Sequence, residues 1–282
     1  MSQRARWRRL TSVSAFVFPT RRMLLRDMGK AGLAVMILGT AACASESTGN
    51  ATPTPETTEG GSTTGPSPTS APGSTAPAET SSDGAHEWHR VNLGFVSAYL
   101  LYRGGEAAIV DTGVTGSEGA IGAALGEIGL GWGDVGTVVI THLHPDHQGS
   151  LPAVIEATTD VLPWFAGAAD LAAIEAPTQG QAVGDGDAVF RGLQIIETPG
   201  HTPGHISVLD PVAGILVAGD AINGGNGGVV GPDPDFSDDM EVANASVTKL
   251  AGFDYDVILF GHGEPVLEDG STLVGNLTQS SG

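Results

Sequence analysis

The sequence predicts an α/β domain of two mixed β-sheets packed face to face with helices outside. Three observations carry that prediction. From about position 84 onward, short apolar runs of strand length alternate with segments of helical character. This stretch has roughly 200 residues, enough for one sizeable core. Side chains able to ligate a metal gather at or just beyond the ends of the apolar runs, where an α/β scaffold commonly places its chemistry.

Strand-like runs fall at residues 91–102, 107–110, 137–140, 188–190, 193–198, 206–209, 215–218 and 257–260. Helical candidates are 117–128, 149–157, 167–175 and 237–250. In the last of these, Ser237 reads as the N-cap of a helix with Met240, Val242, Ala243, Val247 and Leu250 as its apolar face.

The segment Thr141-His142-Leu143-His144-Pro145-Asp146-His147-Gln148-Gly149 follows the apolar run Val138-Val139-Ile140 and packs three imidazoles and a carboxylate into six residues. Imidazole nitrogens and carboxylate oxygens are good ligands for zinc, iron or manganese. His142 and His144, two apart, point to one side of an extended stretch. Asp146 and His147 lie on the turn into the next helix and can face a second metal. A plain polar turn is the competing reading, but it gives no reason for such density at a strand end. Further donors end later runs: His201 in Pro199-Gly200-His201-Thr202-Pro203-Gly204-His205, Asp220 after residues 214–219, and His262 after residues 257–261.

In this order the donors resemble the pattern of the metallo-β-lactamase superfamily: HxHxDH, then a His, a bridging Asp and a final His. The resemblance covers about residues 87–267 and includes Asp111-Thr112-Gly113, similar to the family's early Asp at a strand end. It implies the four-layer αββα sandwich and two divalent metal ions, zinc foremost, with iron or manganese as alternatives. His142, His144 and His201 would hold the first ion; Asp146, His147 and His262 the second, with Asp220 bridging both. A hydroxide between the metals would attack a carbonyl, since bound divalent metal lowers the pKa of water toward neutrality. Asp146 would also orient that nucleophile and take up a proton. Asp111 would bond a ligand imidazole or the turn backbone.

Other residues receive plainer readings. His201, in the first Pro-Gly-His, is preferred to His205 as the ligand, and His205 is expected to support the site from behind. His86 and His89 read as surface or edge residues at the start of the folded part, and Trp88, Trp132 and Trp164 mostly as packing residues. The glycine-rich stretch at 223–228 is expected to border the site, as a lid or as a plain connection, with Asn223 as a candidate substrate contact.

The beginning of the chain reads as an address. Thr20-Arg21-Arg22-Met23-Leu24-Leu25-Arg26 resembles a twin-arginine export motif, and the apolar run at 31–42 is too short for an ordinary transmembrane helix. It ends at Thr40-Ala41-Ala42-Cys43, similar to a lipoprotein signal in which Cys43 is acylated; a soluble secreted product cut nearby is the alternative. Residues 1–43 are thus read as a signal peptide. Residues 44–83, rich in Thr, Ser, Pro and Gly, are read as a disordered tether that cannot bury enough apolar surface to offset its ordering entropy. The catalytic domain is assigned to 84–282.

Of the 12 Lys and Arg residues, only Arg90, Arg103, Arg191 and Lys249 lie beyond Cys43, against 31 Asp and Glu, a formal charge of −27. Such a surface disfavours nucleic acid, which demands a basic face. It fits a high-salt or acid-tolerant protein, an expectation that a stability series across salt concentrations tests. A small-molecule substrate is expected, with membrane contact only through the lipidated N-terminus. Only 20 residues follow His262, which predicts no C-terminal helical domain of the kind glyoxalase II uses to hold glutathione. Asp220 at the bridging position disfavours β-lactam hydrolysis. Asn223 stands where lactonases of the family commonly have Tyr. The sequence therefore points to an exported hydrolase of esters, thioesters or lactones. A mononuclear iron oxygenase on the same fold and a non-catalytic metal-binding surface protein are the alternatives.

Overall fold

The computed structural model describes residues 84–158, 161–225 and 227–280. The segment read as a signal peptide, with Cys43, and the Thr/Ser/Pro/Gly tract read as a tether lie outside them. The first sheet has the order β1 (Glu87–Asn92), β2 (Ser97–Arg103), β3 (Glu106–Val110), β4 (Val135–Val139), β5 (Trp164–Gly167) and β6 (Gln181–Val183). Its first three strands are antiparallel and the rest join in parallel. The second sheet comprises β7 (Ala188–Val189), β8 (Leu193–Glu197), β9 (Ile206–Asp210), β10 (Ile215–Gly219) and β13 (Val257–Phe260), ordered β13-β10-β9-β8-β7 with only β10 and β13 parallel. A short hairpin, β11 (Asn223–Gly225) and β12 (Gly228–Val230), stands apart. The helices are α1 (Glu118–Glu127), α2 (Pro145–Gln148), α3 (Leu151–Ala157), α4 (Met240–Leu250) and α5 (Gly270–Ser280).

The layering follows from the two-residue period of a strand. Along β2, Ala98 and Leu100 join Ile121, Leu125, Leu151 and Val154 in a core beneath α1 and α3. Their neighbours Tyr99 and Leu101 face the other way, meeting Ile195, Val208, Val217 and Leu259 between the sheets. Along β10, Ile215 and Val217 join that central core, while Leu216 and Ala218 pack against Val247, Leu250 and Val274 of α4 and α5. Both faces of each sheet are therefore covered, and helix–sheet–sheet–helix stacking results. Each fully buried aliphatic side chain contributes about 1.5–3 kcal/mol, so this alternation outweighs local propensity.

Two backbone hydrogen bonds join the sheets at one end. Ile206 N–H, opening β9, donates to Thr141 O beyond β4 at 2.9 Å, and Ser97 N–H, opening β2, donates to Gly261 O beyond β13 at 2.9 Å. Thr141 and Gly261 each precede a histidine, so the seam between the sheets positions the site.

Several elements depart from the sequence-based expectation. The single strand expected at 91–102 is a hairpin, because Leu93 N–H closes a turn on Val96 O and Asn92 Oδ1 accepts from Gly94 N–H. The helix expected at 167–175 is the end of β5 plus one 3₁₀ turn, Leu171–Ala173. There Asp170 turns inward and accepts from Leu143 N–H, Gly204 N–H and the Thr202 hydroxyl, tertiary bonds that outcompete helix continuation. Asp239, not Ser237, caps α4, accepting from Glu241 N–H and Val242 N–H. The glycine-rich stretch is in part the β11–β12 hairpin. Strands β5 and β6 and helix α5 had no counterpart in the sequence reading. Of the tryptophans, Trp164 is buried in the core beneath α1 and α3, Trp132 packs partly buried against the same core, and Trp88 against the core between the sheets. No helix of the described residues is long and apolar enough to cross a membrane.

Candidate metal centre

Beyond β4 the chain bends at Leu143, and after the extended His144 Pro145 starts the single turn α2. His142 and His144 are thereby brought face to face, while Asp146 and His147 approach His262 and Asp220 of the second sheet. Nε2 of His142 lies 3.0 Å from Nδ1 of His144, and Nε2 of His201 lies 3.0 Å from the same atom. Nε2 of His262 stands 3.3 Å from Asp146 Oδ2 and 3.2 Å from Asp220 Oδ2, and Nε2 of His147 stands 3.5 Å from Asp220 Oδ1. Asp220 Oδ2 also faces His201 Nε2 at 3.4 Å. The three groups His142/His144/His201, His142/His147/Asp220 and Asp146/His147/His262 each bring their donor atoms within 4.8 Å of one another. Asp220 stands between the first group and the last.

The outer nitrogens fix the tautomers. Asp111 Oδ2 accepts from His147 Nδ1–H at 2.8 Å and from the Thr141 hydroxyl at 2.8 Å, while Oδ1 accepts from Thr141 N–H. The Thr141 proton is thereby spent, so His142 Nδ1–H donates to Thr141 Oγ at 3.0 Å. His262 Nδ1–H donates to Phe95 O at 2.7 Å. With each of these rings neutral, the Nε2 lone pair is left facing the cluster, the arrangement that outer-shell partners impose on metal-binding imidazoles. His201 Nδ1 lies 3.3 Å from Ser237 Oγ, so the residue expected to cap α4 instead braces a histidine.

His205 is placed differently. Its Nδ1–H donates to Thr198 Oγ at 2.8 Å and its Nε2 accepts Asp220 N–H at 3.0 Å. Both nitrogens are engaged, and burial followed by the nearby His201 pushes it down to about 3, so it stays neutral. It supports the Asp220 backbone and presents nothing to the cluster.

Donor chemistry and burial fit a cation. His147 Nε2 and Asp220 Oδ1 are both buried with no hydrogen-bond partner, which is costly unless something else satisfies them. Three imidazole nitrogens meeting at 3.0 Å have the same need. The ring of acidic groups draws positive charge: hydrogen bonds to Asp146 and Asp220 push His262 up to about 10. Burial pushes Asp220 upward, but His147 outweighs it and holds the carboxyl well below the usual range. Gly261 completes the cradle, since a Cβ there would strike Asp220 Oδ1 and lie 2.6 Å from His147 Cε1. Gly219, at φ 56°, lets β10 end against His205 Nε2, where a side chain would collide at 2.6 Å.

Of the expected residues, His142, His144, Asp146, His147, His201, Asp220 and His262 converge, Asp111 and His205 stand behind them, and Asn223 lines the adjoining cavity. Sequence reasoning missed Thr141, Ser237 and Asp170. Asp170 ties the His142–His144 loop to the His201–His205 loop through Leu143, Thr202 and Gly204. Its signal was an acidic residue in the otherwise apolar stretch Ala168-Ala169-Asp170-Leu171.

The Metallo-beta-lactamase superfamily profile matches residues 91–262. The chain belongs to that superfamily. Within it, the "Probable metallo-hydrolase YflN" of Bacillus subtilis (strain 168) is 29% identical over 200 residues, 56% of this chain and 75% of that protein. A "Hydroxyacylglutathione hydrolase" of Parasynechococcus marenigrum (strain WH8102) is 33% identical over 121 residues, 40% of this chain and 43% of that one. A metallo-beta-lactamase family protein from Thermus thermophilus has the same fold, with a TM-score of 0.55 and 24% identity over 69% of this chain and 79% of its own. As a member of the superfamily with an intact cluster of His and Asp donors, the chain is a metal-dependent hydrolase.

Proposed function

We propose that the protein is an exported, dinuclear hydrolase that cleaves a carboxylic ester, thioester or lactone. The convergence of seven donors into two adjoining groups with Asp220 between them supports this reading most directly. His142, His144 and His201 would hold one divalent ion, and Asp146, His147 and His262 the other, zinc being best matched to a nitrogen-rich set, with iron or manganese as alternatives. Such a pair of ions supplies Lewis acidity, polarising a carbonyl and bringing water's pKa toward neutrality.

The chain's own groups do the rest. Asp146, half-buried at the edge of the cavity, orients the attacking water, accepts its proton and passes it to the leaving oxygen or sulfur. Burial pushes its carboxyl up, but the His262 hydrogen bond outweighs that and keeps it ionised, as a proton acceptor requires. Asp220, braced by His205 through its backbone N–H, keeps both groups in register. Asp111 locks His147 with Nε2 inward. Asn223 contacts the substrate from the cavity wall.

Export by the twin-arginine route with acylation of Cys43, or release as a soluble product, places the domain outside the cytoplasmic membrane. The partner is then a small molecule, nucleic acid being disfavoured by the acidic surface. Metal quantification on protein expressed with its native metal supply, followed by an ester, thioester, lactone and β-lactam panel, tests the enzymatic reading. Two ions per chain and turnover lost on chelation and regained on reloading are expected. One iron per chain with oxygen consumption overturns it. Fractionation of wild type and Cys43→Ser tests the anchor, the variant moving from membrane to soluble fraction.

A further inference from the structure

A cavity of about 920 Å³ opens over the cluster. Its lining joins His144, Asp146, His201, Asp220 and His262 of the cluster, with Asn223 beside them, to an apolar set, Phe95, Val230, Pro232, Pro234 and Phe236; Asp233 is the one charged lining residue outside the cluster. None of the lining residues is Lys or Arg. The four Lys and Arg side chains among the described residues are engaged elsewhere: Arg90 with Glu264, Arg191 with Glu106, Lys249 with Asp185, and Arg103 with the carbonyls of Gly84 and Arg191.

Two aromatic rings frame the opening. Phe95 is 63% exposed and Phe236 67%, a large apolar surface to leave in water unless something covers it. Both are held in place. Phe95 lies parallel to the His262 ring, centroids 6.1 Å apart, and its carbonyl accepts from that ring. Phe236 sits on a loop fixed by Asp238 N–H to His201 O and Asp239 N–H to Gly200 O, beside Ser237 at His201. One ring thus flanks each half of the cluster.

We infer that the substrate is an acyl compound whose non-reacting part is an uncharged aliphatic chain, held in this cavity between Phe95 and Phe236. The assignment rests on the hydrolase reading and narrows its substrate class. An anionic tail entering the wall would lose water with no cation to receive it and would face Asp233. An aliphatic tail gains about 0.8 kcal/mol for each methylene buried, about fourfold in affinity. The same ground disfavours polyanionic thioesters and phosphate-bearing substrates whose charged part would have to enter this wall.

The test uses the metal-loaded full-length chain and carboxylic products of increasing length: butyrate, hexanoate and octanoate, with suberate as the octanoate-length dicarboxylate. All carry a carboxylate for the reacting end and differ only in the tail. In ligand-observed NMR titrations, affinity should rise about fifteenfold from hexanoate to octanoate, with suberate about tenfold or more weaker than octanoate. Phe236→Ser should lower octanoate affinity about tenfold and Phe236→Leu should retain most of it; removing so exposed a ring leaves no internal void. Flat dependence on length, or suberate binding as well as octanoate, overturns the inference. Rings buried in a dimer that Phe236→Ser dissociates, with no octanoate binding, overturn it as well. Length-dependent binding without hydrolysis of any matching ester would instead remove the hydrolase reading and leave the binding assignment standing.

Discussion

Two buried histidine–aspartate pairs lie apart, one by the seam where β9 opens and one where β9 finishes, and they use the same contact for different ends. His147 Nδ1–H donates to Asp111 at 2.8 Å where the seam between the sheets lies, and His86 Nδ1 meets Asp210 at 2.6 Å where β9 finishes. In both rings Nε2 is buried without a hydrogen-bond partner. Around His147 Nε2, however, stand Asp220 Oδ1 at 3.5 Å and Asp146 Oδ2 at 3.8 Å, whereas the aromatic neighbour of the His86 ring is Phe190, centroids 5.9 Å apart. An orphan nitrogen becomes a ligand only where other donors converge on the same point. The His86 pair instead fastens the start of the domain to β9, Asp210 accepting the His86 backbone N–H as well. His86 is therefore a buried anchor and not the surface residue that its position suggested.

The largest effect is expected when a converging donor is taken away, which leaves His147 in the situation of His86. Asp146→Ala removes a proposed metal ligand and the proton acceptor together. Turnover on the best ester should fall about 10³-fold, with the metal content of the second site reduced and the melting temperature of the metal-free protein nearly unchanged. Persistence of activity across a broad ester panel would sink the mechanism. Next in size is Asp111→Asn. Asn tolerates the positive φ of 62° at this position, so the backbone is spared while the charge behind His147 is lost. Metal affinity should drop about 10- to 100-fold by competition with a chromophoric chelator. An unchanged affinity would mean that Asp111 supports the turn alone.

The contrast also marks what the sequence could and could not tell. The seven donors were legible because they lie at or just beyond apolar runs in an order that resembles the superfamily's pattern, and the sandwich because strand-like runs interleaved with helical segments. What stayed hidden depends on partners distant in sequence. His86 gains its role from Asp210, 124 residues away, and Asp170 from Leu143, Thr202 and Gly204. Strand β6 has three residues, two of them exposed, too short to show a period. The β11–β12 hairpin is built largely of glycine, which carries no hydrophobic pattern. The hairpin in place of one long strand at 91–102 was hidden because Leu93 and Phe95 keep the apolar run going through the turn.

At the other pair, Asp210→Asn should leave metal content and turnover unchanged and cost about 2 kcal/mol of stability. Burial pushes the Asp210 carboxyl up, but hydrogen bonds from His86 and from the backbone N–H groups of Ala213, His86 and Val212 outweigh it and hold it below the usual carboxylate range. A carboxyl depressed in the folded state stabilises fully above its unfolded pKa of about 3.9, and that stabilisation drains as pH falls below it. The gap between wild type and variant in urea melts should therefore be fully present above about pH 5 and narrow steadily as pH falls below about 3.9. A gap independent of pH would mean that Asn disturbs packing instead of removing a charge.

The smallest effect is expected where an ion pair resembles these two in distance only. Arg90 meets Glu264 at 2.7 Å, but the Glu264 side chain is 84% exposed, and solvent screens such pairs to about 0–1 kcal/mol. Arg90 itself is better placed: it also donates to Ser97 Oγ at 2.9 Å and to Gly263 O at 3.0 Å, linking β1 to the residue after His262. Glu264→Gln should thus shift stability by less than about 1 kcal/mol, and the shift should vanish in high salt. Arg90→Met should lower stability more and loosen the loop carrying His262, which hydrogen exchange at Gly261 and Gly263 would register. If both substitutions proved equal, the carboxylate and not the contacts to Ser97 and Gly263 would be what holds Arg90. The acidic group would then matter at the surface as it does inside, against the lesson of the buried pairs that converging partners decide what a contact is worth.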